Sequence, residues 1–322
     1  MRATVPAAVL AGVMTVAAVG GGGSGRDSAR RAATMSGLAH TGAGAPAARG
    51  TAAHAAMKPP AAHATAAAVR LELKSNAALV IDEARGLTLY AKNPRQVVPI
   101  ASITKLMTAM VVLDARLPPD QPITIDRADT NGAKRTPSRL KVGARLTRAD
   151  LLWVALMASE NRAAAALGRT YPGGTGACVA AMNRKALDLG MPHTRFADAS
   201  GLSSENVSSA EDLSRMVRAA CEYPAIRRFT TSPSHPVTLS DGRVLEYNNS
   251  NGLVKNKSWI IGLSKTGYLD EAGRCLVMQA QIAARPVIIV LLDSWGKYTR
   301  LGDANRIRKW MEATLPRGPR AG

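Results

Sequence analysis

Regular alternation of apolar and polar residues begins near residue 69 and continues almost to the C-terminus. AALVID (77–82) and LTLYA (87–91) alternate as strands, and the intervening EARG, with Gly86 in the turn, predicts a β-hairpin. Pro99 then precedes PIASITKLMTAMVVLDA, where apolar residues recur at helical spacing and predict a helix from about Ser102 to Ala115. Further helices are predicted over 147–158, 161–171, 176–190 and 209–223, the last opened by Ser209 and Asp212 in a capping arrangement. After a polar stretch come three strand-like runs, IIGLSKTGY, RCLVMQAQI and PVIIVLLD, and a final helix in TRLGDANRIRKWMEA. Strands at both ends of a helical middle predict an α/β sandwich whose first hairpin joins the later strands in one antiparallel sheet.

Residues before 69 follow a different pattern. Met1 and Arg2 precede an apolar run from Val5 to Val19 that meets four glycines, which predicts a secretory signal peptide over 1–20. The run is short for a membrane helix, which needs about 20 residues, although an uncleaved N-terminal anchor competes with this reading. Residues 21–68 are rich in Ala, Gly, Thr and Ser and have almost no large apolar side chain to offset ordering entropy, so they read as a flexible linker. His40, His54 and His63 fall there at spacings unlike a compact metal site. The folded domain is expected over 69–316.

Charge adds less than its size suggests. The 322 residues carry a formal net charge of +19. Residues 1–70 hold seven of the cations and one anion, a net of +6, which leaves +13 spread over the remainder. No recognition-helix, zinc-finger or base-stacking pattern accompanies it, so no nucleic-acid partner is expected. Attraction to an anionic polymer is consistent with the balance. The three cysteines, Cys178, Cys221 and Cys275, cannot all pair, and their alanine-rich or strand-like settings predict buried thiols without a structural disulfide.

Three short motifs carry chemistry. In Ser102-Ile103-Thr104-Lys105, positions i and i+3 share a helix face, so the lysine amine can reach the serine hydroxyl. A serine nucleophile needs such a base, and the amine serves only when burial or a nearby cation lowers its pKa. Ser159-Glu160-Asn161 stands where one helix stops and another begins, with Ser159 and Asn161 able to face one cleft. Lys265-Thr266-Gly267 lies on a strand, where Gly267 is read as letting a bound peptide approach the backbone.

The three motifs follow one another at separations of 57 and 106 residues, an order shared by serine β-lactamases and penicillin-binding proteins. With PIASITKLMTAMVVLDA, ASENRAAAALGRTYPGG, LGMPHTRFADASGLSSENVSSAEDL, SKTGYLDEAGRCLVMQA and WGKYTR, the chain resembles the low-molecular-mass penicillin-binding proteins, the serine D-alanyl-D-alanine peptidases. Within them it is most similar to the endopeptidase type that cuts peptidoglycan cross-links. The resemblance implies a β-lactamase/transpeptidase-like α/β fold, an antiparallel sheet flanked by helices with a helical subdomain. It also implies that Ser102 attacks the penultimate D-alanine carbonyl, with Lys105 as general base and Ser159 and Asn161 completing the proton network. Lys265 would supply positive charge near Ser159 and help depress the Lys105 pKa, while Thr266 binds substrate. The backbone N–H groups of Ser102 and Tyr268 would form an oxyanion hole. Glu160 departs from the family's usual Asp or Gly, and Tyr268 from a frequent histidine.

The implied partners are peptidoglycan peptides and, as covalent inhibitors, β-lactams, with no cofactor and no metal. The implied location is the periplasm, with no stable membrane anchor after signal cleavage. A β-lactamase would need a deacylating loop, for which Glu246-x-x-Asn249 is the nearest text. A Ser-His-Asp hydrolase would have to draw on His193 or His235 and lacks a G-x-S-x-G elbow. A wall-binding module without activity leaves the motifs unexplained. Carboxypeptidase and endopeptidase share the acyl-enzyme; the 57 residues after Lys265 leave room for strands and a helix and favour a single-domain endopeptidase.

Overall fold

The computed structural model describes residues 70–130 and 137–315. The segments expected to be signal peptide and linker, with their three histidines, lie outside the described residues.

The predicted hairpin forms from β1 (Ala77–Asp82) and β2 (Leu87–Lys92), with Gly86 at φ 66° in its turn. A two-residue strand, β3 (Val98–Pro99), leads to a 3₁₀ turn at Ala101–Ile103 and then to α1 (Thr104–Asp114). Helix α1 therefore starts two residues later than expected, and Ser102 sits in the tighter turn that precedes it. Residues Thr104–Val112 are buried on every side, as befits a helix that runs through the core rather than over it.

The helical subdomain follows. Strands β4 (Pro122–Thr124) and β5 (Arg145–Thr147) pair with each other and deliver the chain to α2 (Arg148–Met157). Thr147 caps that helix by accepting from the Asp150 N–H at 3.0 Å. Helices α3 (Asn161–Arg169) and α4 (Gly174–Asp188) come next. The short strand β6 (Val207–Ser208) pairs with β3 and precedes α5 (Ala210–Cys221), where the Ser209 hydroxyl accepts from the Asp212 N–H as its sequence signature implies. The polar stretch beyond contains α6 (Pro224–Thr231) and a hairpin of β7 (Ser234–Thr238) with β8 (Val244–Asn248).

Three long strands, β9 (Ile260–Leu269), β10 (Gly273–Ile282) and β11 (Arg285–Ser294), and the helix α7 (Thr299–Thr314) complete the domain. The sheet order is β2-β1-β11-β10-β9, antiparallel throughout, so the N-terminal hairpin does join the C-terminal strands. Both sheet faces are covered. On one, Leu79, Val277, Ile288 and Val290 pack with α1 and α5 into the larger core. On the other, Ala304, Ile307 and Met311 of α7 pack against Leu276, Met278 and Ile289, each large side chain contributing about 1.5–3 kcal/mol by burial. Cys178, Cys221 and Cys275 are buried free thiols in α4, α5 and β10, and burial pushes their pKa values up to about 11, 12 and 11.

Candidate active site

Ser102 is held by unusual backbone. Ala101 adopts φ 47°, left-handed for a residue with a Cβ, and the Thr104 hydroxyl donates to the Ala101 carbonyl at 2.8 Å. A loop clamps the turn from outside: Gly201, at φ 79°, comes so close that a Cβ there would sit 2.1 Å from the Ala101 carbonyl oxygen. Strand β9 closes the other side. A Cβ on Gly267 would lie 2.9 Å from the Ile100 carbonyl and 3.1 Å from the Ser102 nitrogen. The space that Gly267 leaves open is thus taken by the turn carrying Ser102, whereas the sequence suggested room for a bound peptide.

Lys105, in the first turn of α1, is fully enclosed. Its Nζ donates to Ser102 Oγ at 2.7 Å, to Asn161 Oδ1 at 2.7 Å and to the Ser200 carbonyl. Burial pulls this amine down to about 7, opposed by the negative charges of Asp198 and Glu160. A base that is half neutral near pH 7 can take the Ser102 proton as the oxygen attacks. Lys265 of β9 is equally buried and donates to Ser159 Oγ and to the Thr266 carbonyl, both at 2.8 Å. Burial first, then the Lys105 charge and then Arg300, push its amine well below the ordinary lysine value. The sequence reading assigned the electrostatic push to Lys265 acting on Lys105; here burial dominates at Lys105, and the repulsion registers at Lys265.

Ser159 follows α2 and also takes a left-handed φ of 61°, which turns its hydroxyl toward β9 while Asn161 starts α3 facing Lys105. Glu160 points elsewhere, as the alternation implied. Its carboxylate caps α3 by accepting from the Arg162 N–H at 3.1 Å and takes the Ser138 hydroxyl at 2.8 Å. Thr266 Oγ1 donates to Ser250 Oγ at 2.8 Å, and the Ser250 N–H donates to the Met157 carbonyl at 2.9 Å, which ties β9 to the end of α2. Tyr268 is exposed, with its hydroxyl donating to Asp270 at 2.6 Å.

Four groups escaped the sequence reading. Asp198 organises the loop that supplies the Ser200 carbonyl: one oxygen accepts from the Ser200 and Gly201 N–H groups and the Ser200 hydroxyl, the other from the Ser203 N–H and Asn206. Its signal was the turn-forming text Asp198-Ala-Ser-Gly. Ser250 had no signal. Arg300, at the start of α7, is buried with Nε and Nη1 unpartnered, and its charge reaches Lys265. A buried, underused guanidinium of this kind suits a carboxylate.

The alternative constellations do not assemble. His235 stacks on Trp153 at 3.7 Å, and the His193 N–H donates to Asp212. Asn249 holds the Thr230 and Ser232 carbonyls, a structural task. No group of His, Cys, Asp and Glu able to hold a metal ion occurs among the described residues. The largest cavity described, about 940 Å³, lies between the β1–β2 hairpin and α5 and contains none of the motif residues.

Known proteins bear the same stamp. The chain is 50% identical over 242 residues to a D-alanyl-D-alanine endopeptidase of Pseudomonas aeruginosa, covering 75% of this chain and 78% of the relative. It is 46% identical over 242 residues, with the same coverage, to one of Escherichia coli. A solved D-alanyl-D-alanine carboxypeptidase of Mycobacterium tuberculosis superposes with TM-score 0.70 at 28% identity, over 78% of this chain and 96% of the other. Residues 62–296 match the peptidase family S11 model described as D-alanyl-D-alanine carboxypeptidase, and the chain belongs to that family.

Proposed function

We propose that the protein is a serine D-alanyl-D-alanine endopeptidase that opens peptide cross-links of peptidoglycan through an acyl-enzyme on Ser102. The carrying observation is the Lys105 amine, 2.7 Å from Ser102 Oγ and lowered to about 7 by burial. The neutral amine accepts the hydroxyl proton as Oγ bonds to the carbonyl carbon of the penultimate D-alanine. The resulting oxyanion takes hydrogen bonds from the backbone N–H groups of Ser102 and Tyr268, each worth about 10²- to 10³-fold in rate. Collapse breaks the C–N bond, and the departing amine takes the proton that Lys105 accepted from Ser102, with the Ser159 hydroxyl, held by Lys265, as the relay. Water then cleaves the ester and frees Ser102. Thr266 and Asn161 hold the substrate amide, Gly267 lets β9 seat the Ser102 turn, and Arg300 offers a counter-charge to a carboxylate of the leaving residue.

The endopeptidase choice is supported by the two relatives at 46% and 50% identity that bear that name. The carboxypeptidase alternative draws on the family description and on Arg300, since a carboxypeptidase releases a free terminal carboxylate. A peptidoglycan substrate places the enzyme outside the cytoplasm. We assign it to the periplasm, exported by a signal peptide over 1–20 and carrying a tether over 21–68 ahead of the domain at 69–316. No helix among the described residues is long and apolar enough to cross a membrane.

Because a β-lactam places its carbonyl where the peptide carbonyl lies, labelled penicillin followed by peptide mass spectrometry should find an adduct on Ser102. Its absence would sink the reading. Incubation with defined muropeptides separates the two activities: cross-linked dimers yield monomers under endopeptidase action, and monomeric pentapeptides lose their last D-alanine under carboxypeptidase action.

A further inference from the structure

The exposed large hydrophobic side chains of the described residues include three aromatics, Tyr268, Trp295 and Tyr298, and all three gather at one end of the sheet. Tyr268 is the cross-strand partner of Arg274, which in turn pairs with Ser294 of β11, so one row of side chains runs from the strand of the Lys265 motif to the residue before Trp295. This row and the β11–α7 loop line a cavity of about 320 Å³ that includes Tyr268, Arg274, Ser294, Trp295 and Lys297. The Arg274 guanidinium lies 4.2 Å from the Tyr268 ring centre, and the Lys297 amine 5.5 Å from that of Tyr298. Trp295 makes no ring or cation contact among the described residues and is 73% exposed.

An aromatic cluster left in water on a folded domain marks a binding surface. Its composition selects the ligand. A bare indole face matches the C–H face of a pyranose, while the Arg274 and Lys297 cations set beside the tyrosine rings provide donors for sugar hydroxyl and acetamido oxygens. A purely apolar partner would leave those donors unmet. The shelf also continues directly from β9, one residue beyond Gly267, so a ligand seated on it would share a chain with a peptide at Ser102.

We infer that the Trp295 shelf is a subsite for the amino-sugar strand of peptidoglycan, holding the glycan while β9 holds the stem peptide attached to it. The inference rests on the peptidoglycan substrate proposed above and adds a glycan requirement to it. It makes the enzyme prefer cross-links still attached to sugar.

Two measurements test it. In the first, kcat/KM is compared for a cross-linked disaccharide-peptide dimer and for the same dimer stripped of sugar. The native enzyme should prefer the glycan-bearing dimer by about tenfold, the scale of one stacked ring. Trp295→Ala should abolish that preference through KM, leaving the stripped peptide and penicillin acylation unchanged, and Trp295→Phe should keep most of it. Equal loss on both substrates, or no loss on either, overturns the subsite. In the second, the indole N–H resonance of Trp295, identified by its disappearance in Trp295→Phe, is followed during titration with the N-acetylglucosamine tetramer. A shift confined to the shelf supports the proposal, and an unmoved resonance overturns it. This readout needs no activity: failed penicillin acylation with a shifted indole would refute the peptidase reading alone, and normal acylation with an unmoved indole would refute the shelf alone.

Discussion

The lowered amine of Lys105 has two consequences for pH dependence, and they are separable. Its pKa falls from 10.5 to about 7, chiefly by burial. If the neutral amine is the base, acylation of Ser102 should rise through a single ionisation near pH 7, with about a tenth as much neutral base at pH 6 as at pH 8. The assay is the second-order rate of acylation by a fluorescent penicillin at constant ionic strength. A rate flat between about pH 5.5 and 8.5, or one still rising near pH 10, would refute the assignment. The same shift enters folding. Because the folded pKa lies below the unfolded one, the unfolded chain binds the extra proton between about pH 7 and 10.5, and stability contributed by this group rises with pH across that window. Below pH 7 the full cost is carried. At 1.36 kcal/mol per unit the cost is at most about 5 kcal/mol, opposed by the three acceptors around Nζ. Comparing denaturant unfolding of the native protein with that of Lys105→Met isolates it: the stability difference should shift in favour of the native chain on going from pH 7 to 10. A difference independent of pH would mean that the amine stays charged in the fold.

Three further outcomes follow from the geometry. Asp198→Asn removes the first charge that holds the Lys105 pKa up and sets an amide donor against the Ser203 N–H or the Ser200 and Gly201 N–H groups. The acid limb of acylation should move to lower pH, and chemical denaturation should show a loss of about 2–4 kcal/mol. Gly267→Ala places a methyl 2.9 Å from the Ile100 carbonyl and 3.1 Å from the Ser102 nitrogen, so the turn must shift: acylation should fall by an order of magnitude or more and the melting temperature should drop; a normal rate would mean the turn yields freely. The three thiols, buried and raised to about 11 or above, should resist Ellman's reagent in the native protein and react fully in guanidinium.

Much of the fold was written in local periodicity. The hairpin, the six predicted helices, and the three long strands needed only apolar spacing, Pro99, Gly86 and the Ser209 cap. What escaped were segments whose stability comes from tertiary contact. Helix α6 spans one short amphipathic stretch with adjacent arginines, Arg227 and Arg228, and α1 begins in a 3₁₀ turn because Gly201 and Gly267 crowd it from two sides. The β7–β8 hairpin did carry a signal, Asp241-Gly242 between alternating residues. The motif residues were legible because their types and order are chemical requirements. Ser250, Arg300 and the Ser200 carbonyl were not, since a carbonyl has no residue type and the two side chains matter only through what the fold sets beside them.

The site is also where the chain breaks its own local rules, and the breaks converge on the same few atoms. Ala101 and Ser159 adopt left-handed backbone without being glycine, at a cost of about 1–3 kcal/mol each. Lys105 and Lys265 bury two amines with no carboxylate bonded to either. Such choices lower stability, and a sequence selected for folding alone would replace them. Each places a functional atom: φ at Ala101 orients Ser102, φ at Ser159 turns its hydroxyl to Lys265, and burial drops Lys105 into the range where an amine can act as base. The rigid members around them, a core helix covered on all sides and an antiparallel sheet buried on both faces, supply the stability that permits the strain. The loop fixed by Asp198 then contributes a neutral carbonyl rather than a carboxylate to Lys105, which satisfies an N–H without returning the pKa to its ordinary value.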